Sequence, residues 1–92
     1  MPLCLDDRIR PGEEVLFQTI EGETVLLHLE RGVYFGLDPV GTRVWEAVVQ
    51  HGSARAALPR LLDEFDVSPD TLAADVLRLL EELLASELIV RA

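Results

Sequence analysis

The sequence predicts an α+β fold, a three-stranded antiparallel sheet followed by three helices. Three observations carry this. Short β-branched and aromatic runs separated by glycine-containing turns fill the chain up to residue 37. A helix-capping residue followed directly by proline then occurs twice, at Asp38-Pro39 and at Ser68-Pro69. The 92 residues are 49% hydrophobic, enough for one core, so the chain reads as a single domain over residues 1–92, with 1–13 as a flexible N-terminal segment.

The first run is Val15-Leu16-Phe17-Gln18-Thr19-Ile20, closed by the turn signal Glu21-Gly22-Glu23. The second is Thr24 to Leu29, in which the period of two places Val25, Leu27 and Leu29 on one face. Glu30-Arg31-Gly32 turns the chain into the third run, Val33 to Leu37, with Val33, Phe35 and Leu37 on one side and Tyr34 on the other. Connections this short give an antiparallel meander.

Asp38-Pro39 opens the first helix, in which Val40, Val44, Trp45, Val48 and Val49 recur at helical spacing until His51-Gly52 stops it. Ser53 caps a second helix carrying Leu58, Leu61, Leu62 and Phe65 at i, i+3, i+4 and i+7. Pro59 falls inside that stretch and marks either its first turn or a kink. Ser68-Pro69 opens the longest helix, which runs to about Ser86. At about 100° per residue its apolar side chains, from Leu72 and Leu79 round to Leu77, cover an arc of roughly 160°, wider than the roughly 100° stripe of a surface helix. Such a width suits a central core helix, a helix with one edge lining an open groove, or both.

Composition excludes several functions. The 8 basic residues are all Arg, against 17 acidic ones, for a net charge of −9. Nucleic-acid binding needs the opposite balance, and without Lys there is no Schiff-base or P-loop lysine chemistry. The lone Cys4 excludes an intramolecular disulfide and a cysteine zinc site. No apolar run is long enough to span a bilayer. The N-terminus has no basic-then-apolar signal, so a cytoplasmic protein is expected.

No catalytic constellation, metal site or cofactor motif is present in the sequence. His28 reads as a half-exposed sheet histidine, and His51 as a helix-end histidine suited to the dipole. Neither has a second ligand at i+3 or i+4. Gly36 and Gly41 read as residues that permit close backbone approach at the strand-to-helix joint. Trp45 reads as a core anchor.

The stretch from Val25 to Trp45 resembles the PqqD-like family, the recognition elements of ribosomally made, post-translationally modified peptides. It carries Tyr34, Gly36, Leu37, Gly41 and Trp45 at matching spacing. Glu64 to Pro69, Asp75-Val76-Leu77, Leu80 to Leu83 and Leu88-Ile89 extend the resemblance over nearly the whole chain. Asp38 stands where Asn is commoner, and Glu87 where Gly is commoner. The resemblance implies a winged-helix-like fold that binds the leader of a precursor peptide without catalysis or cofactor. The leader is then presented to a modifying enzyme such as a radical enzyme, a protease or a cyclase.

An extended leader can add as a strand to an open sheet edge. The expected edge is Val33, Tyr34, Phe35, Gly36 and Leu37, with Leu72, Val76 and Leu79 of the third helix as the facing wall and Asp75, Arg78 and Glu82 as a polar rim. An open edge also allows a homodimer. Two other readings stand beside this one: a winged-helix DNA-binding regulator, opposed by the charge and by a third helix offering only Arg78, and a docking subunit of an enzyme complex that binds no peptide.

Overall fold

Local turn chemistry sets the sheet. The computed structural model describes residues 2–92. Its elements are β1 (Ile9–Pro11), β2 (Val15–Ile20), β3 (Glu23–His28), β4 (Val33–Leu37), α1 (Pro39–His51), α2 (Ala54–Glu64), α3 (Pro69–Ala85) and β5 (Ile89–Arg91). The β2–β3 hairpin turns through Glu21 (φ 52°) and Gly22 (φ 81°), the paired positive φ angles of a turn that matches strand twist. Gly32, at φ 68°, donates its N–H to the His28 carbonyl and starts β4. The resulting antiparallel sheet has the order β2-β3-β4, and the three helices follow it, as the sequence predicts.

The register fixes which face is which. Leu16 lies opposite Leu27, and Leu27 opposite Tyr34; Gln18 lies opposite Val25, and Val25 opposite Gly36. This is the outer face. Thr24, Leu26 and His28 point inward and are buried. The expectation that Val25, Leu27 and Leu29 share a face holds, but that face is the outer one: Val25 and Leu29 are exposed. His28 is correspondingly 7% exposed rather than half-exposed, and its Nδ1 accepts the Arg31 N–H at 3.2 Å. Gly36 is corrected too. A Cβ there would meet nothing within 4 Å, whereas one on Gly41 would lie 3.3 Å from the Asp38 carboxylate.

Each helix starts on a side-chain cap. Asp38 Oδ1 accepts the Gly41 N–H at 2.7 Å, and Ser53 and Ser68 accept those of Ala56 and Thr71 at 3.2 Å. Pro59 sits inside α2, which begins at Ala54. Trp45 and Val48 of α1, Leu61 of α2, and Val76, Leu80 and Leu83 of α3 meet Leu26, Leu88 and Ile89 in the core. One polar junction lies among them. Thr42 Oγ1 accepts the Thr24 N–H at 2.9 Å and reaches the Leu37 carbonyl at 3.4 Å, tying α1 to the ends of β3 and β4.

The segment expected to be flexible, 1–13, is docked over its described part. Leu3 and Ile9 are buried, and β1 pairs antiparallel with β5, Ile9 opposite Arg91 and Pro11 opposite Ile89. Asp7 clamps this junction by accepting the Cys4 N–H at 2.8 Å and the Arg91 guanidinium at 2.6 Å. Those two bonds hold its carboxyl below the ordinary aspartate range. The chain reaches β5 from α3 through Glu87, at φ 60°, with the Leu88 N–H bonded back to the Leu83 carbonyl at 2.9 Å. That left-handed position is the one where glycine is the easier residue.

Candidate functional site

Both outer strands of the β2-β3-β4 sheet have a free edge, and their surroundings differ. The β2 edge borders a cleft in which Phe17 meets Trp45 edge-to-face, with ring centroids 5.2 Å apart. The rest of that cleft is partly polar, with Thr19, Glu46, Gln50 and Arg60. Arg60 is engaged there by Gln50 and by Glu64.

Beyond the end of β4 lies an apolar groove of about 300 Å³ between α1 and α3. Val40, Gly41 and Val44 line it from α1, Leu72, Asp75, Val76 and Leu79 from α3, and Phe65 and Val67 from the α2–α3 connection. Its position follows from local folding. Leu37 ends β4 and Asp38 caps α1 at once, so the first turns of α1 run on from the β4 edge. α3 packs mainly on α2 and β5. The groove therefore sits where the start of α1 faces α3, one cap residue beyond the C-terminal end of β4. Pockets for whole small molecules run from about 300 to 1,000 Å³, so this groove suits one or two apolar side chains of a larger ligand.

The expected site residues separate into three groups. Leu72, Asp75, Val76 and Leu79 do line the groove. Leu72 and Val76 are themselves buried and Leu79 is half-buried, so the wide apolar arc of α3 serves core and groove together. Arg78 and Glu82 lie outside the lining; Arg78 is spent on an exposed ion pair with Asp75 at 3.0 Å. On β4, Leu37 is buried and Val33 and Phe35 are half-buried beneath the sheet, while Tyr34, 74% exposed, and Gly36 face outward.

Sequence reasoning missed Val40, Val44, Phe65 and Val67 as lining residues. Val40 (56% exposed) and Val67 (45% exposed) are the informative ones, because neither is needed to fill the core. A valine alone in the polar connection Asp66-Val67-Ser68 was the available signal.

No group of His, Cys, Asp and Glu residues suited to a metal occurs among the described residues. No described helix is long and apolar enough to cross a membrane. The groove thus offers an apolar floor with one carboxylate, Asp75, already paired, and the outer edge of β4 separately offers main-chain hydrogen-bonding groups.

A family model described as coenzyme PQQ synthesis protein D (PqqD) matches residues 23–89, from the start of β3 to the start of β5. Among solved structures, TbiB1 in complex with the TbiA(beta) leader peptide is 32% identical, with a TM-score of 0.81 over 87% of this chain and 93% of that one. A lasso peptide synthetase B1 complexed with the leader peptide has the same fold, at 18% identity and a TM-score of 0.80 over 90% of this chain and 98% of that one. No curated protein sequence matches the chain.

Proposed function

The chain belongs to the coenzyme PQQ synthesis protein D family, and from that premise we propose that it is a non-catalytic leader-peptide binding module that delivers a ribosomally made precursor to a modifying enzyme. The observation that carries the proposal is an apolar groove with room for one or two side chains, set just beyond the end of β4, whose outer edge is unpaired. The similar solved structures are both complexes with a leader peptide.

In this reading the leader adds as a fourth strand along Val33 to Leu37, and main-chain hydrogen bonds supply affinity without regard to sequence. Specificity comes from apolar leader side chains seated against Val40, Val67, Leu72 and Leu79. Ordering a disordered leader costs about 2–5 kcal/mol of the gross interaction, so the complex is readily reversible, as delivery requires. A net charge of −9 favours leaders with Lys or Arg beside their apolar anchors. The same charge, with Arg78 held by Asp75, weighs against the DNA-binding reading.

The test is a fluorescence-anisotropy titration with a labelled leader segment of the precursor encoded beside this chain's gene, followed by mass spectrometry of the mixture. Saturable binding of the leader, none of the core segment, and an unchanged peptide mass are expected. Absence of leader binding, or a covalent change made by the protein alone, would refute the proposal.

A further inference from the structure

The outer face of the sheet is apolar and uncovered. Leu16, Leu27 and Tyr34 form one row across the three strands, with Val25 in the next row and Ile20 and Leu29 at its ends. Leu16 is 57%, Ile20 59% and Tyr34 74% exposed. Helix α1 packs on the other face, and Gly36 leaves a hollow beside Val25 because it carries no side chain. A contiguous exposed patch of this kind marks an interaction surface.

Its border is acidic. Glu21 and Glu23 stand at the β2–β3 turn, Glu30 follows β3, and Glu14, whose carbonyl holds the Leu29 N–H at 2.8 Å, lies at the opposite corner. Of the nearby cations, Arg31 is paired with Glu87 at 3.1 Å, and Arg10, close to Glu13 and Glu14, donates to the Pro11 carbonyl at 3.4 Å. A second copy of this chain would set one acidic border against another, and nucleic acid or an anionic membrane would meet the same repulsion. Charge complementarity selects a protein surface with an apolar centre and an Arg- or Lys-rich border.

We infer that the outer face of the β2-β3-β4 sheet is the docking surface for the modifying enzyme, through an apolar patch with a basic rim on that enzyme. The inference rests on the leader-binding reading and extends it. Tyr34 and Gly36 belong both to this face and to the β4 edge, so an enzyme seated here lies directly beside the added leader strand. One sheet then holds peptide at its edge and enzyme on its face.

The test uses the full chain, the labelled leader and the purified modifying enzyme encoded with the precursor. Affinity for the enzyme is measured by biolayer interferometry for wild type, Leu16→Glu and the doubly reversed Glu21→Lys/Glu23→Lys. Circular dichroism melts accompany each variant. Both variants are expected to weaken enzyme binding at least tenfold and to keep leader affinity within twofold. The charge-reversed variant changes only exposed residues, Glu21 in the turn and Glu23 at the start of β3, so it serves if Leu16→Glu fails to fold. Enzyme affinity unchanged in both folded variants overturns the inference. So does a wild-type dimer, seen by light scattering, that Leu16→Glu dissociates. Failure of wild type to bind leader would instead remove the underlying reading, a result the leader titration reports separately.

Discussion

Replacing Val40 by alanine isolates what the groove contributes to peptide affinity. Val40 is the second residue of α1, 56% exposed, and lines the groove opposite Leu72 and Leu79. The substitution removes two methyl groups, worth about 0.8 kcal/mol each when taken fully out of water. Roughly half of that surface is exposed before binding, so a seated leader side chain gains about 0.9 kcal/mol from it. The dissociation constant should rise about fivefold, since tenfold corresponds to about 1.4 kcal/mol. Val40→Asp goes further. It places a carboxylate against an apolar anchor, and the loss should be at least about 2 kcal/mol, or roughly thirtyfold. A carboxylate in the first turn of a helix suits its dipole, and the half of the valine already buried in the free protein is worth only about 0.7 kcal/mol, so both variants should stay folded with at most a small drop in melting temperature. Anisotropy titrations with the labelled leader read the first effect and thermal melts the second. Leader affinity within error of wild type for a folded Val40→Asp protein would refute the groove as the seat of the anchor residues.

Three further outcomes follow from the structure. Thr42→Val keeps the shape but leaves the Thr24 N–H without its 2.9 Å acceptor in a fully buried position; destabilisation by about 1–3 kcal/mol is expected in a urea melt, and an unchanged midpoint would show that the bond is dispensable. Glu87→Gly relieves a left-handed residue at φ 60°; the exposed ion pair it gives up to Arg31 contributes little, so a gain of about 0.5 kcal/mol is expected, and a loss would mean the ion pair dominates. Asp7 has a folded-state pKa lowered below 3.8 by the Cys4 N–H and then by Arg91. Its stabilisation is therefore present above pH 3.8 and lost as pH falls through the lower folded value. Asp7→Asn should flatten the acid limb of the stability profile; an acid limb identical to wild type would contradict the clamp.

What the sequence made legible was local. Asp38-Pro39 and Ser68-Pro69 start helices because a side-chain oxygen and a preset φ act within four residues, and both helices begin there. Strand β3 shows the limit. Alternation reveals that Val25, Leu27 and Leu29 share a face, but Leu26 supplies apolar surface in the other phase too. Thr24 and His28 could be buried because Thr42, Thr19 and the Arg31 N–H satisfy their polar groups. The partner in each case lies outside the alternating pattern. β1 and β5 were not legible for a different reason: each has three residues, and their pairing joins Ile9 to Arg91 across nearly the whole chain. The groove was half legible. The α3 wall follows from helical period, whereas Val40 and Val67 enter only when α1 and the α2–α3 connection converge on it.

The central claim is that the leader extends the sheet at β4. Amide hydrogen exchange of the isotope-labelled protein, followed residue by residue by NMR with and without saturating leader, tests it most directly. Strong new protection at alternate amides of Val33 to Leu37 is predicted, with shifts at Val40, Val67 and Leu79 and no new protection along Val15 to Ile20. Protection confined to β2, or leader binding that leaves every β4 amide exchanging as before, would contradict it.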